Sequence, residues 1–359
     1  MNKPNLYPVA EKFEIEGNIK LLEEYGEGHI NSTYIVVTDK KRYILQKINT
    51  SLFDRPDMLM KNIRLVTDYL KTSVSSMGGE EEVLAIVKTK DGNDCYCDNG
   101  DAWRMYDFVE NSICYQKVET PDDFKSCAFA FGKFATYLDG FNAKLLYDVI
   151  PHFHDTPDRF LKFEKAIAED AMGRAKSVKN EIDFFLSRKA FSSTITSLLA
   201  SGEMPTRVTH NDTKLNNILF SANTGKPLAI IDLDTIMAGS VCYDFGDSIR
   251  FGCNTAAEDE PDVSLVDFSE KLFEVYAEGY MAGFDKITKC EKDNLLNGSI
   301  MMTYECGMRF LTDYLNGDTY FRTVRDGQNL DRAHTQMRMV ELMEKKYDKL
   351  SAIVNKFGG

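Results

Sequence analysis

Four polar residues in the middle of the chain, His210, Asp212, Asn217 and Asp232, have types and spacing suited to moving a phosphoryl group. They sit in Val208-Thr-His-Asn-Asp-Thr-Lys-Leu-Asn-Asn-Ile-Leu-Phe220 and in Ala229-Ile-Ile-Asp-Leu-Asp-Thr235. Ile218–Phe220 and Leu228–Ile231 are short apolar runs fit for buried strands, and the turn sequence Ser221-Ala-Asn-Thr-Gly-Lys226 separates them. A hairpin centred near Thr224–Gly225 sets Asn217 opposite Asp232, because both are equidistant from the turn, with Asp212 in the loop just before. An amide oxygen beside a carboxylate offers the hard donors that suit magnesium, which keeps some waters and takes its other ligands from phosphates. Asp212 beside them can accept a proton from a substrate hydroxyl. One positioned base, metal-holding oxygens and little covalent chemistry by the protein are what phosphoryl transfer requires. An ordinary hairpin with polar ends would explain a lone Asp-to-Asp spacing, but not His, Asp, Asn and Asp falling together at these offsets.

The elements that must position these groups lie on either side. Residues 1–20 read as a short helix leading into a strand, and Leu21–Val37 as a hairpin around Gly26-Glu-Gly28. Two glycines let backbone amides approach a polyanion, although a plain tight turn also accounts for them. Lys41-Arg-Tyr-Ile-Leu-Gln-Lys-Ile48 is a third strand, followed by a helix from about Pro56 to Thr72. Val83–Lys88 and Asp94–Asp98 bracket Asp91-Gly-Asn93 as a further hairpin. Ala102-Trp-Arg-Met-Tyr-Asp-Phe-Val-Glu-Asn111 is a last strand running into a connector, with Trp103 in the core. Beyond it the pattern turns helical: Pro121–Phe141 carries Phe124, Ala128, Phe131, Phe134 and Leu138 at helical spacing, and Phe160–Asp170, Glu181–Lys189 and Ser193–Ala200 follow. His152 and His154, two residues apart with no further ligand nearby, read as structural. Met301, Tyr304, Met308, Leu311 and Leu315 form an apolar helical stripe, with Glu305 and Arg309 on the neighbouring face. That pair is either an i, i+4 salt bridge or an arginine aimed at ligand oxygens and oriented by Glu305 or Asp313.

Composition narrows the field. The 359 residues allow two domains or one large bilobal one, and 43% apolar with 28% charged residues is ordinary for a soluble protein. The net charge of -13 is spread along the chain, which argues against nonspecific binding to nucleic acid or to an anionic membrane. It does not oppose a nucleotide, because a metal ion and backbone dipoles can invert the local field. The 8 cysteines include no Cys-x-x-Cys, Met1–Gly17 has no signal-peptide core and no run is long enough to span a membrane, so reduced thiols in a cytoplasmic protein are expected.

His210-Asn-Asp212, Asn217 and Ile231-Asp232, in that order, resemble the catalytic core of the aminoglycoside phosphotransferase-like kinases, with Asn211 where that family usually has Gly. The longer strings Gly26-Glu-Gly-His-Ile-Asn31, Thr209–Asn217, Ile231-Asp-Leu-Asp-Thr235 and Phe245-Gly-Asp-Ser-Ile-Arg-Phe-Gly252 resemble members that use ATP to phosphorylate the anomeric hydroxyl of N-acetylglucosamine or N-acetylgalactosamine. The resemblance covers almost the whole chain. It implies a glycine loop at Gly26 and Gly28, adenine against Phe108, Val109 and Glu110, Asp244 as an anchor of the catalytic loop, and His29, Phe251, Arg309 and Tyr320 as sugar contacts. For Phe251, core packing is the competing account. Kinases of this class usually carry a phosphate-binding Lys on the third strand, paired with a Glu on the following helix. Here alignment puts Gln46 at the Lys position, and the helix has no Glu, only Asp57 and Asp68 near its ends and Asn62 centrally. Either Gln46 and Asn62 make a neutral amide pair, or the register is one residue off and Lys47 meets the phosphates.

The expected fold is therefore α+β, a protein-kinase-like bilobal fold of the aminoglycoside phosphotransferase type, with a sheet-rich nucleotide lobe over 1–110 and a helical lobe over 111–359. The expected activity is ATP-dependent phosphorylation of an amino sugar, with Asp212 as base and magnesium on Asn217 and Asp232. The alternatives are transfer to another small alcohol (an aminoglycoside, choline or homoserine) and a catalytically dead nucleotide-binding regulator.

Overall fold

The computed structural model describes residues 6–26, 30–115 and 120–357. In chain order its first elements are α1 (Tyr7–Ala10), β1 (Ile19–Glu24), β2 (Ser32–Thr38), β3 (Arg42–Ile48), α2 (Pro56–Ser76), β4 (Ile86–Val87), β5 (Tyr96–Asp98), β6 (Asp101–Asp107) and β7 (Ser112–Cys114). Then come α3 (Pro121–Tyr137), α4 (Thr156–Glu169), α5 (Lys179–Ser187), α6 (Thr194–Ser201), β8 (Arg207–Thr209), β9 (Ile218–Ser221), β10 (Pro227–Ile230) and β11 (Met237–Gly239). The chain ends with α7 (Val241–Gly252), α8 (Glu270–Gly283), α9 (Lys289–Asp293), α10 (Leu295–Leu315), α11 (Gln328–Lys345) and α12 (Tyr347–Lys356). It folds into two compact units: Met1–Cys114 with Lys144–Pro151 and Ile218–Met237, and Tyr115–Ala143 with His152–Asn217 and Ala238–Gly359.

The first unit is built on an antiparallel sheet of order β1-β2-β3-β6-β4, with β5 also on β6. Side chains alternate across β3, so Tyr43 and Leu45 join Phe13, Val36, Trp103 and Met105 in one core, while Gln46 points to the other face. Trp103 is buried, as expected. The hairpin expected between Val83–Lys88 and Asp94–Asp98 does not form. A bond from Thr89 N–H to Asn93 O (2.8 Å) closes the turn, but β4 and β5 each pair with β6 instead of with each other. A long, nearly continuously buried β6 offers more ladder and more apolar surface than two short strands offer each other. Helix α2 packs through Leu59, Met60, Ile63, Val66 and Leu70. Its buried Asn62 donates to the carbonyls of Tyr147 (2.8 Å) and Ile236 (3.0 Å) and accepts from Tyr147 N–H (2.9 Å). The unit also contains a second sheet, β10-β9-β7.

In the β9–β10 hairpin, Ile218 lies opposite Ile230 and Leu219 opposite Ala229, with an irregularity between Pro227 and Ala229. The register is one residue away from the expected one. In the observed register Asn217 and Asp232 are no longer equidistant from the turn. Proline has no N–H for the ladder and favours such irregularities, and Asp232 leaves the strand in left-handed backbone (φ 58°).

The second unit is helical. Thr120 caps α3 in a reciprocal capping box with Asp123, and Ser240 caps α7 through the N–H of Cys242 (3.1 Å). The stripe Met301, Tyr304, Met308, Leu311 and Leu315 is buried along α10, as its spacing predicts. Helix α10 packs on α4, α7 and α11, and α3 on α8. Helices α7 and α10 touch through backbone: a Cβ added to Gly246 would collide with the Gly298 carbonyl, and one on Gly298 with the Cys242 carbonyl. Gly298→Ala is therefore expected to cost about 1–3 kcal/mol, read as a lower urea midpoint with an unchanged slope. A midpoint equal to wild type would mean the two helices can part without loss.

Candidate functional site

In the second unit, the chain leaving β8 turns sharply through Asn211, which has left-handed backbone (φ 64°). Asn tolerates this conformation better than most residues, and Gly better still, which explains the residue usual at this position in the resembled family. The turn hangs on Asp244 in the first turn of α7. One oxygen of its buried carboxylate accepts the N–H of His210 (2.9 Å) and the other that of Asn211 (2.7 Å). Thr213 extends the anchor, donating from Oγ1 to the Asp244 carbonyl (2.6 Å) and from N–H to Asp247 Oδ2 (3.3 Å). Its own carbonyl accepts from Ser248 Oγ (2.7 Å), which in turn accepts from Tyr276 O–H (2.6 Å). The fully buried His210 ring lies edge-on to Phe131 and Phe134, at 5.5 and 6.0 Å. Its Nδ1 accepts the Asp212 N–H (3.3 Å), which leaves the proton of the neutral ring on Nε2.

Asp212 is held by two donors. Lys214 Nζ lies 2.6 Å from Oδ1, and Asn217 Nδ2 donates to Oδ2 (3.0 Å) and to the Asp212 carbonyl (2.8 Å). The carboxylate is thus fixed in direction while 22% of the side chain remains exposed. Burial pulls the Lys214 pKa down, but the charges of Asp212 and Asp247 outweigh it and the ammonium is held above its usual range. Burial raises Asp247, but Arg250, Lys214 and His154 more than offset this and hold its carboxyl below the usual range. Burial pushes Asp244 up to about 6, against the pull of His210 and of the two backbone N–H groups.

In the first unit a different network surrounds Asp234. Arg104 on β6 forms an ion pair with Asp234 Oδ1 and donates from Nε to Gln46 Oε1 (2.9 Å), and Gln46 Nε2 donates to Thr33 Oγ1 (3.0 Å). Asn31 Nδ2 donates to the other Asp234 oxygen (2.6 Å) and its Oδ1 accepts from Asn49 N–H (3.0 Å). The Arg104 side chain is 1% exposed. Burial lowers its pKa, but Asp234 outweighs that and keeps the guanidinium charged.

A protein-family model described as a phosphotransferase enzyme family matches residues 22–281. The chain belongs to that family. Solved structures share its α+β, kinase-like fold. An aminoglycoside phosphotransferase from Alicyclobacillus acidocaldarius is 11% identical, with 99% of this chain and 98% of that one covered and a TM-score of 0.64. A microcompartment-associated aminopropanol kinase is 14% identical over 96% and 98%, with a TM-score of 0.57. A Plasmodium vivax ethanolamine kinase is 14% identical over 91% and 84%, with a TM-score of 0.52. Among the described residues of this family member, no helix is long and apolar enough to cross a membrane.

The residues singled out in the sequence fall as follows. Asp212 and Asn217 are brought into direct contact. Gly26 lies in a turn with φ 76°, while Gly28 and His29 lie outside the described residues. Phe108 stacks under the Arg42 guanidinium (4.1 Å) and edge-on to Tyr25 (5.9 Å), and Glu110 forms an ion pair with Arg42. The Phe108 N–H is taken by the Arg42 carbonyl (3.1 Å), and the Val109 carbonyl accepts from Ser112 Oγ (2.7 Å). Phe251 is 50% exposed, which rules out its being core. Arg309 lies over the rings of Tyr320 (5.7 Å) and Phe321 (5.3 Å).

Three expectations are corrected. Gln46 and Asn62 do not pair: Gln46 belongs to the Arg104 network and Asn62 staples residues 147 and 236. Lys47 points to the opposite face of β3 and pairs with Asp101 (2.7 Å). Neither Glu305 nor Asp313 orients Arg309. Glu305 is bonded by His154 and Thr156, and Asp313 accepts the N–H groups of Thr319, Tyr320 and Phe321 together with Asn329 Nδ2.

Sequence reasoning missed Arg104, whose only signal was a lone charge inside an apolar strand. His154, read from the sequence as structural, is held by Glu305. Asn217 spends its amide N–H on Asp212, so its Oδ1 is the face left for a cation, a hard oxygen of the kind magnesium takes.

Two outcomes are expected. Asp234→Asn removes the carboxylate from a buried guanidinium and should cost about 3–5 kcal/mol in chemical denaturation. Arg104→Met combined with Asp234→Asn should recover most of that loss. For Asp244, the folded pKa of about 6 lies above the ordinary 3.8. Its contribution to stability is therefore fully present below about 3.8 and lost as pH rises through about 6. Protonation nevertheless turns one of its acceptor oxygens into a donor and releases a backbone N–H of the loop. Turnover should thus fall as pH drops from 7 to 5 while Asp244 contributes no loss of melting temperature, and Asp244→Asn should show low turnover without that limb near pH 6.

Proposed function

We propose that this chain transfers the γ-phosphate of ATP to the anomeric hydroxyl of an N-acetylhexosamine, as an N-acetylhexosamine 1-kinase. The observation that carries the reading is Asp212: a partly exposed carboxylate with both oxygens fixed by Lys214 and Asn217, on a loop hung from buried Asp244. Asp212 orients the acceptor hydroxyl and takes its proton as the oxygen attacks phosphorus. An anomeric hydroxyl is more acidic than an ordinary alcohol, so placement of the base matters more than its strength. Lys214 keeps Asp212 aimed. Asn217 Oδ1 and the Asp232 carboxylate are the groups that would hold magnesium, which when bound offsets charge on the phosphates. Gly26 and Gln46 line the nucleotide phosphates, and the connector Phe108–Glu110 meets the adenine.

On the acceptor side, Phe251, Arg309 and Tyr320 contact the sugar. Tyr320 is 66% exposed and lies beside the Arg309 guanidinium, an aromatic face and a donor fork of the kind that suits a pyranose with its acetamido group. Arg309 forms no ion pair among the described residues, which disfavours a cationic acceptor such as an amino alcohol.

Asp212→Asn should leave the melting temperature within a few degrees of wild type and lower kcat by at least about a thousandfold. The check is ADP release with ATP, magnesium and N-acetylglucosamine or N-acetylgalactosamine, with the phosphate located on the product by phosphorus NMR. Phosphate on any hydroxyl other than the anomeric one, or an Asp212→Asn rate within tenfold of wild type, would remove this mechanism.

A further inference from the structure

His154, read from the sequence as structural, has three properties that a packing role does not need. Its backbone is left-handed (φ 51°), a strained conformation for a residue of its size. Its side chain is 10% exposed, wedged against Phe153 (4.4 Å) and Tyr243 (5.2 Å). Its Nδ1 lies 3.1 Å from Glu305 Oε1, yet its Nε2 is shielded from solvent with no hydrogen-bond partner. Glu305 fixes the tautomer. Burial raises that carboxyl, but His154, Thr156 and Arg309 outweigh it and hold it below the usual range, so it is ionised and accepts only. Nδ1 therefore carries a proton, and in the neutral ring Nε2 presents its lone pair.

One turn further along α4, Arg159 has a buried Nε with no hydrogen-bond partner and forms no ion pair among the described residues. Burial and the charge of Arg309 both depress its pKa, which places the two guanidinium groups within each other's field. The neighbouring Asp158 is engaged by Lys162 (2.6 Å), and Glu305 by His154 and Thr156. Around Glu305 the second unit thus gathers two arginines with unspent donors and one imidazole with an unspent acceptor. A desolvated polar atom without a partner costs stability in the free protein, and a ligand that supplies the partner recovers it.

We propose that His154 Nε2 and the Arg159 guanidinium contact the ligand directly and, with Arg309, form an acceptor subsite selective for a polyhydroxylated molecule carrying no positive charge. A ligand hydroxyl or amide N–H donates to His154 Nε2, and ligand oxygens accept from Arg159 and Arg309. A protonated amine would meet the two guanidinium groups, with Glu305 already engaged by His154 and Thr156. The inference rests on the reading of this chain as a small-molecule phosphotransferase, not on which sugar it takes.

The test is calorimetric titration of the ADP-saturated protein with N-acetylglucosamine, inorganic phosphate and ethanolamine, on wild type, His154→Asn and Arg159→Met. Asn keeps a donor for Glu305 and tolerates the left-handed backbone while removing Nε2. Met keeps the stem of Arg159 and removes its unpartnered charge. Wild type should bind N-acetylglucosamine and not ethanolamine, and each variant should weaken the sugar by at least about tenfold. The melting temperature of Arg159→Met should be equal to or above that of wild type. Phosphate binding to wild type that Arg159→Met abolishes, with no binding of the sugar, would sink both the N-acetylhexosamine reading and the selectivity for a polyhydroxylated molecule. Variants that bind within twofold of wild type, wild type that prefers ethanolamine or binds none of the probes, or a large fall in the melting temperature of Arg159→Met would each overturn the subsite.

Discussion

The direction in which Asp212 points is set by a carboxylate it never touches. Asp244 receives the N–H groups of His210 and Asn211 on its two oxygens, and this forces the backbone through the left-handed turn at Asn211. Two hydrogen bonds to a buried acceptor offset the strain of that turn. The phenylalanines of α3 hold the His210 ring, Thr213 is tied to α7 on both sides, and Lys214 and Asn217 then meet the Asp212 oxygens. The close approach of α7 and α10 at Gly246 and Gly298 is what holds α7, and with it Asp244, at a defined height against α10.

The first unit solves a different problem. A strand lysine paired with a helix glutamate is absent from the sequence, and the buried ion pair of this unit is instead Arg104 on β6 with Asp234 just after β10. Gln46, at the lysine position, holds the guanidinium instead of carrying charge itself. Asn62, at the helix position, fastens the segment around Tyr147 and Ile236. The buried ion pair is tolerable because both of its members have further partners: Asn31 on Asp234 and Gln46 on Arg104.

Helices α4 and α10 show the reverse arrangement. There Glu305 is fully satisfied by His154 and Thr156, while the Nε of Arg159 is buried without a partner. Arg309 rests over aromatic rings, an arrangement that positions a guanidinium without using up its N–H groups. Asp313, which could have neutralised it, is occupied in folding the 319–321 segment that brings Tyr320 beside it.

The sequence by itself determined the local elements and the chemistry of the loop. Alternation placed β3 with Gln46 and Lys47 on opposite faces, and the 3,4 spacing placed the buried stripe of α10. The order His210, Asp212, Asn217, Asp232 pointed to phosphoryl transfer, because residue types and short-range spacing are written directly in the chain. Registers and partners were decided only in three dimensions. The symmetric turn expected around Thr224–Gly225 slipped by one residue, since Pro227 cannot join the ladder regularly. The partners of β4 and β5 were chosen by the long strand β6 and not by the turn between them. Arg104 met a carboxylate 130 residues away, and His154 met Glu305 across 151 residues. Nothing in local propensity encodes such pairings. They follow from which charged groups are left without water once the apolar faces have closed, and that is a property of the packed chain alone.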